Sequence, residues 1–432
     1  MKSFFKIALS VVALSFVQPA SASTQFTITG STAFRGALYD TIVALMGGTP
    51  ASDIATCKIT TTAANGNGAT PTAAQGHAAV NAAGTVTFQG SISGVNGGSP
   101  ITIYVALSGS ATGLISIFNS SVLNYAPANA TTAGYNNVSY SATANSAPGA
   151  VQFSMSDIYA SSVTTTKVTG LSEALVAVVP FEFVASRGSS NLGNLNNITA
   201  QNARLLFNNG VVQQAYLTGI VSDTNNVYLT GRDNGSGTRI TVLAETKFGI
   251  ANLVKQYYGV LSGTAGSGTI TSLRFWPTDN TNFPNADTLN AGNGGYGSGG
   301  GISSFMGFSG AGTVNILNAD GSAASPATDS NLTVVGYVGA GDAVTSVANG
   351  GKRLTYDGNL YDGSANAIAS VQNGGYSLWC YEHLSYKGTP TGDEATLITK
   401  IKGAIGANLG VNGIDVTSMN ITRAGDGGLI GP

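Results

Sequence analysis

The chain has 432 residues, 43% of them hydrophobic and only 9% charged, and a formal net charge of −2. A charged share so far below the usual quarter leaves Ser, Thr, Asn and Gly to form the surface. No broad basic field faces nucleic acid or acidic lipid, so any anion must be held at a discrete site.

Met1–Val17 places Lys2 and Lys6 before the apolar run Ile7–Val17, and Ala20-Ser21-Ala22 follows. That order predicts a secretory signal peptide over residues 1–22, cleaved after Ala22. The apolar run is too short to span a bilayer. No cysteine stands at the cleavage site to carry a lipid anchor. A soluble periplasmic or secreted chain is expected. Removing 22 residues from 432 leaves 410, and removing two lysines takes the charge from −2 to −4. That length exceeds what one compact core organises, so two lobes are expected.

Gln25–Ile28 reads as a short strand running into Thr29-Gly30-Ser31-Thr32-Ala33. A helix follows, with Phe34, Ala37, Leu38, Ile42, Leu45 and Met46 on one face and Gly47-Gly48 as its stop. Residues 58–100 are rich in Ala, Thr, Asn and Gly and read as an insertion or weak β-hairpins. Ile101–Leu107 alternates as a strand, turns through Ser108–Gly113 and enters the apolar Leu114–Phe118. Residues 124–150 read as loop. Val151–Asp157 alternates as a strand and ends on an aspartate, most often a cap or turn residue. Leu175–Ala185 has the near-continuous apolar character of a strand buried on both faces, broken by Pro180. Asn196–Gly210 reads as a capped helix with Leu205, Leu206 and Phe207 inward.

The next segment organises the rest. Val227-Tyr228-Leu229 is β-prone, Gly231–Arg239 reads GRDNGSGTR, and Ile240–Phe248 has helical spacing. A strand, a glycine-rich turn and a helix start form an anion pocket, because backbone N–H groups converge at the positive end of the helix. Ser236 and Thr238 add hydroxyls, and Arg232 adds a guanidinium fork. The plainer alternative is a polar turn in which Ser236 only caps the helix. Residues 261–330 are glycine-rich with few helical signals. Within them Gly295–Gly300 (GYGSGG) fits G-x-G-x-x-G but follows no strand, and reads as loop. Val334–Val338 is a strand, Gly374–Tyr386 an aromatic one, and Glu394–Ala407 a helix. The alternation predicts α/β architecture with mainly parallel strands.

Cys57 and Cys380 are the two cysteines. In an exported chain they form one disulfide or remain two buried thiols. His77 and His383 belong to no recognisable metal-ligand motif, a Ser-His-Asp triad is poorly supported, and no G-x-S-x-G is present. The sequence therefore points to no metal, no cofactor and no enzyme.

Gly30-Ser31-Thr32-Ala33, Ser108–Gly113, Ser156-Asp157 and Arg232–Thr238 together resemble the phosphate-binding proteins of the type 2 periplasmic binding family, which serve phosphate ABC transporters. The last segment matches that family's Arg, three-residue gap, Ser-Gly-Thr pattern. Asn194–Gly210, Gly336-Tyr337-Val338 and Gly375-Tyr376-Ser377-Leu378 are similar to further segments of it. Residues 58–100 and 261–330 are enlarged against the family. The resemblance implies two α/β lobes joined by two crossing strands, with an anion in the cleft between them. Lobe one is expected at residues 23–180 and 375–432, and lobe two at 181–374. The implied phosphate site comprises Thr32, Ala33 and Ser110 as donors, Asp157 as acceptor and Arg232 as clamp. Ser236, Gly237 and Thr238 complete it from the second lobe. The implied partners are inorganic phosphate and an inner-membrane ABC permease, and the protein is expected to be a monomer that binds no nucleic acid. With both cysteines in lobe one, Cys57 and Cys380 are expected to pair. A secreted or surface-associated structural protein that keeps the two-lobe fold is the alternative. An exported hydrolase ranks third for want of a nucleophile–base pair.

Overall fold

The computed structural model describes residues 24–49, 58–62, 85–126, 128, 134–138, 149–187, 193–277 and 294–432. The expected signal segment and Cys57 lie outside them. In chain order the strands are β1 (Thr24–Gly30), β2 (Lys58–Thr62), β3 (Thr85–Gly90), β4 (Ile101–Leu107), β5 (Gly134–Val138), β6 (Phe153–Ser156), β7 (Leu171–Ala185), β8 (Asn197–Ile198), β9 (Val211–Gln213) and β10 (Asn226–Leu229). There follow β11 (Tyr257–Ser262), β12 (Thr269–Phe275), β13 (Ala311–Leu317), β14 (Ala323–Gly339), β15 (Lys352–Tyr356) and β16 (Trp379–Lys387). The helices are α1 (Arg35–Leu45), α2 (Ser110–Phe118), α3 (Ala200–Asn209), α4 (Ala215–Thr218), α5 (Gly237–Glu245), α6 (Gly299–Met306), α7 (Ala340–Ala348), α8 (Ala365–Gln372) and α9 (Gly392–Ala404).

The fold is α/β and two-lobed. In the first lobe the strand order runs β16-β6-β1-β4-β3-β2-β5. Phe34, Leu38 and Ile42 of the α1 region are buried in one core with Leu397 and Ile401 of α9. Burying each such side chain contributes roughly 1.5–3 kcal/mol. The second lobe is built on β14, flanked by β13, β10 and β7, with β12 and β11 beyond β13. Ile302, Phe305 and Met306 of α6 pack there on Val334 and Val338. Thr199 caps α3 through a reciprocal bond with Asn202, and Gly210 ends it, as the capping pattern predicts. Leu206 and Phe207 face inward as expected, whereas Leu205 is only half-buried.

Two segments cross between the lobes. β7 pairs with β16 up to Pro180 and then with β14 and β15 from Phe181 to Ala185. Leu378, just before β16, accepts the Phe181 N–H at 2.9 Å. The break expected at Pro180 does not occur. Proline is tolerated in this central strand because its missing N–H falls where the ladder partner changes. The expectation of mainly parallel strands is also corrected: antiparallel ladders outnumber parallel ones among the described strands. The enlarged region 261–330 supplies part of the reason, since β11–β12 and β13–β14 pair antiparallel. It also holds α6, a helix its composition did not announce.

Cys380 is a free thiol buried in β16, with Sγ 3.9 Å from the Val179 carbonyl. Cys57, its expected partner, lies outside the described residues. No helix among the described residues is long and apolar enough to cross a membrane.

Candidate anion-binding site

β1 ends at Gly30, in register with Leu107 of β4 and Met155 of β6. All three strands are parallel, so the loops carrying Thr32, Ser110 and Asp157 leave one edge of the sheet. Open α/β sheets hold ligands at that edge, beyond the carboxyl ends of their strands. In the second lobe β10 ends at Leu229 beside Val335 of β14. The Thr230 N–H donates to the Val335 carbonyl at 2.8 Å. This sends Gly231–Ser236 over the same cleft, and α5 begins at Gly237. Ser236 accepts the Arg239 N–H at 3.3 Å, so the cap reading of Ser236 describes its side chain. None of the expected site residues exceeds 9% exposure.

Asp157 is the hub. Ser110 Oγ donates to its Oδ1, and Thr238 Oγ1 reaches its Oδ2 at 3.5 Å. Thr241 of α5 donates to the Asp157 main-chain carbonyl at 3.1 Å. A Cβ on Gly237 would lie 1.6 Å from Asp157 Oδ1. Only glycine therefore lets the α5 N-terminus approach the carboxyl group. The helix dipole favours negative charge there. Burial raises the Asp157 pKa, opposed by the Ser110 bond and the Arg232 charge.

Arg232 joins the lobes. Its Nη2 donates to Thr32 Oγ1 at 3.0 Å and to the Gly297 carbonyl at 2.9 Å, while Nε donates to the Tyr296 carbonyl at 3.0 Å. The Gly235 carbonyl accepts the Ala111 and Thr112 N–H groups of α2 at 3.1 and 3.4 Å. Asp233 steadies that turn by accepting the Gly235 N–H at 2.8 Å. Ala33 stands at the margin, its Cβ 3.2 Å from the position a Gly339 Cβ would take. Ser110, Asp157, Gly237 and Thr238 thus meet in one contact group, Arg232 and Thr32 pair beside it, and the Arg232 charge acts on Asp157. At the cleft mouth Ser108, Thr112, Asp233, Asn234, Gly235 and Tyr296 help line a cavity of about 590 Å³.

Four contributors escaped the sequence reading. Tyr296 and Gly297 lie in the GYGSGG run, where Tyr296 makes a parallel bridge with Arg232 and α6 starts two residues after Gly297. Gln256, fully buried, donates to the Arg232 carbonyl at 3.0 Å and fixes the loop from below. Glu382 of β16 is fully buried within electrostatic reach of Asp157 and raises no signal in an aromatic strand beyond its charge. Among the described residues no group of three or more His, Cys, Asp or Glu could hold a metal ion.

Neither a protein-family model nor a curated protein sequence matches the chain. Solved structures do. PstS from Borrelia burgdorferi is 13% identical, with 91% of this chain and 100% of that one covered and a TM-score of 0.36. An ABC-type phosphate transport receptor from Vibrio cholerae is 9% identical, covering 70% and 84%, with a TM-score of 0.36. A possible phosphate binding protein from Planctomyces limnophilus is 11% identical, covering 88% and 99%, with a TM-score of 0.33. At this level of likeness the ligands of those proteins do not carry over to this chain, and a functional conclusion has to rest on the geometry of its own site.

Proposed function

We propose that this protein captures inorganic phosphate in the cleft between its lobes, after export, and delivers it to an ABC permease. The lobes of this reading are residues 23–180 with 375–432, and residues 181–374. The observation that carries it is Asp157, held between the starts of α2 and α5 with Arg232 of the facing lobe in electrostatic reach. A dehydrated oxyanion needs many neutral donors and few full countercharges, which is what two helix starts, the Thr32, Ser110 and Thr238 hydroxyls and one guanidinium supply. An ionised Asp157 accepts only, so it selects an oxyanion that still carries a proton. Phosphate does at neutral pH, and sulfate does not.

One observation favours a second reading, a structural protein that keeps the fold. The donors already have protein partners: the α2 N–H groups take the Gly235 carbonyl, Ser110 takes Asp157, and Arg232 takes Tyr296 and Gly297. Titration with phosphate separates the two. Saturable binding by the natural protein that is lost in Arg232→Ala supports capture, and its lack in a folded protein supports the structural role.

A further inference from the structure

β16, paired with β6 and β7, carries a second acid close to Asp157. Glu382 is opposite Ala177 of β7 in the ladder and is wholly inaccessible. Apart from Ser31, neither of its carboxyl oxygens has a hydrogen-bond partner among the described residues. Ser31, in the loop after β1, is the hydroxyl that meets this carboxyl group and favours its charged form, and the Ser31 hydroxyl is buried with no other partner. Ser31 directly precedes Thr32, which accepts from Arg232. A buried hydroxyl–carboxyl pair with no further polar partner therefore sits at the edge of the anion site. A buried pair so isolated calls for an explanation, because leaving polar atoms unpaired is costly.

The charges around Glu382 decide its protonation state. Asp157, just after β6, disfavours a second negative charge there. Cys380 lies two residues earlier on its own strand, with a thiol pushed up by burial and by Asp157, Asp426 and Glu382. Asp426 adds negative charge near Asp157 and is itself raised to about 7 by burial. From α2 comes the neutral Ser110, from β7 Ala177, and His383 on β16 is held neutral by burial. Arg232 is the cation of this group, and it acts on Asp157. Burial first, and Asp157 second, hold the Glu382 carboxyl well above the usual range.

We propose that Glu382 is a proton-bearing donor of the anion site, turning its acid O–H through Ser31 toward an oxygen of the bound anion, so that the neutral acid is the binding form. This rests on phosphate being the ligand. An ionised Glu382 would put a second negative charge beside Asp157 and repel the anion. A neutral one supplies a donor where the site otherwise presents a lone hydroxyl, and it sets proton-bearing Glu382 and proton-accepting Asp157 in different roles.

The test is difference infrared spectroscopy of the natural protein before and after inorganic phosphate, with calorimetric affinities of Glu382→Ala and Glu382→Gln. A carboxylic-acid carbonyl band at neutral pH that Glu382→Gln removes, and that shifts when phosphate is added, is expected. Glu382→Ala should weaken phosphate at least tenfold, and Glu382→Gln, whose amide can still donate, should recover most of that loss. A band that phosphate leaves unmoved, or a glutamine variant as weak as the alanine one, overturns the assignment without touching phosphate capture. Natural protein that folds yet takes up no phosphate overturns both.

Discussion

Gly237→Ala adds one methyl group and no charge at the centre of the site. Helix propensity alone favours alanine by up to about 1 kcal/mol. Against this, the new Cβ would lie 1.6 Å from Asp157 Oδ1, and 2.7 Å from both Asp157 Cγ and Ser110 Oγ. Carbon contacts settle at roughly 3.5–4.0 Å, so the Asp157 side chain must leave its place. Leaving breaks its bonds to Ser110 and Thr238. Overpacking costs about 1–3 kcal/mol, and each hydrogen bond to a charged group is worth about 1.5–3 kcal/mol. Rotation of Asp157 relieves the first by giving up part of the second, so the two do not add fully. After the helix gain is subtracted, a net loss of about 2–4 kcal/mol is expected. Urea unfolding should show a lower midpoint at unchanged slope, and phosphate affinity should fall at least ~30-fold. A Gly237→Ala protein at least as stable as the natural one, with unchanged phosphate affinity, would refute the placement of Asp157 against α5.

Arg232→Ala should cost about 2–5 kcal/mol of phosphate binding, much of it from leaving the anion without its cation; a folded variant with natural affinity would remove Arg232 from the site. Asp157→Asn should weaken discrimination against sulfate without abolishing it, because an amide oxygen still accepts. Competition against labelled phosphate reads this, and millimolar sulfate displacing phosphate from the natural protein as well as unlabelled phosphate does would rule out Asp157 as the selector. His383 is buried against Tyr159 with its pKa lowered by desolvation from 6.5 to about 4. Below pH 6.5 the unfolded chain takes up a proton that the folded one refuses, so His383 should cost about 3 kcal/mol of stability as the pH falls from about 6.5 to about 4. His383→Phe should remove that part of the acid sensitivity in denaturant melts, and identical pH profiles for the two proteins would contradict it.

Local chemistry carried much of the fold into the sequence. The alternation of Ile101–Leu107, the Thr199 cap and the Gly-rich starts of α2 and α5 are each decided within a few residues, and these segments fold as read. What pairs with what is tertiary. Nothing within β7 says that its partner changes at Pro180, and nothing within GYGSGG says that its carbonyls grip Arg232 from 64 and 65 residues away. The site followed the same division. Ser236, Gly237 and Thr238 of the proposed site were picked out by their spacing, and Asp157, which follows β6, by its position. Gln256 and Glu382 were not, because a polar residue in a strand or loop acquires a role only from what buries it.

Calorimetric titration of the folded chain with inorganic phosphate, after unfolding and refolding to strip any ligand carried through purification, tests phosphate capture most directly. Saturable single-site binding that Arg232→Ala abolishes or greatly weakens is the predicted result. A folded protein that gives no saturable binding would contradict it.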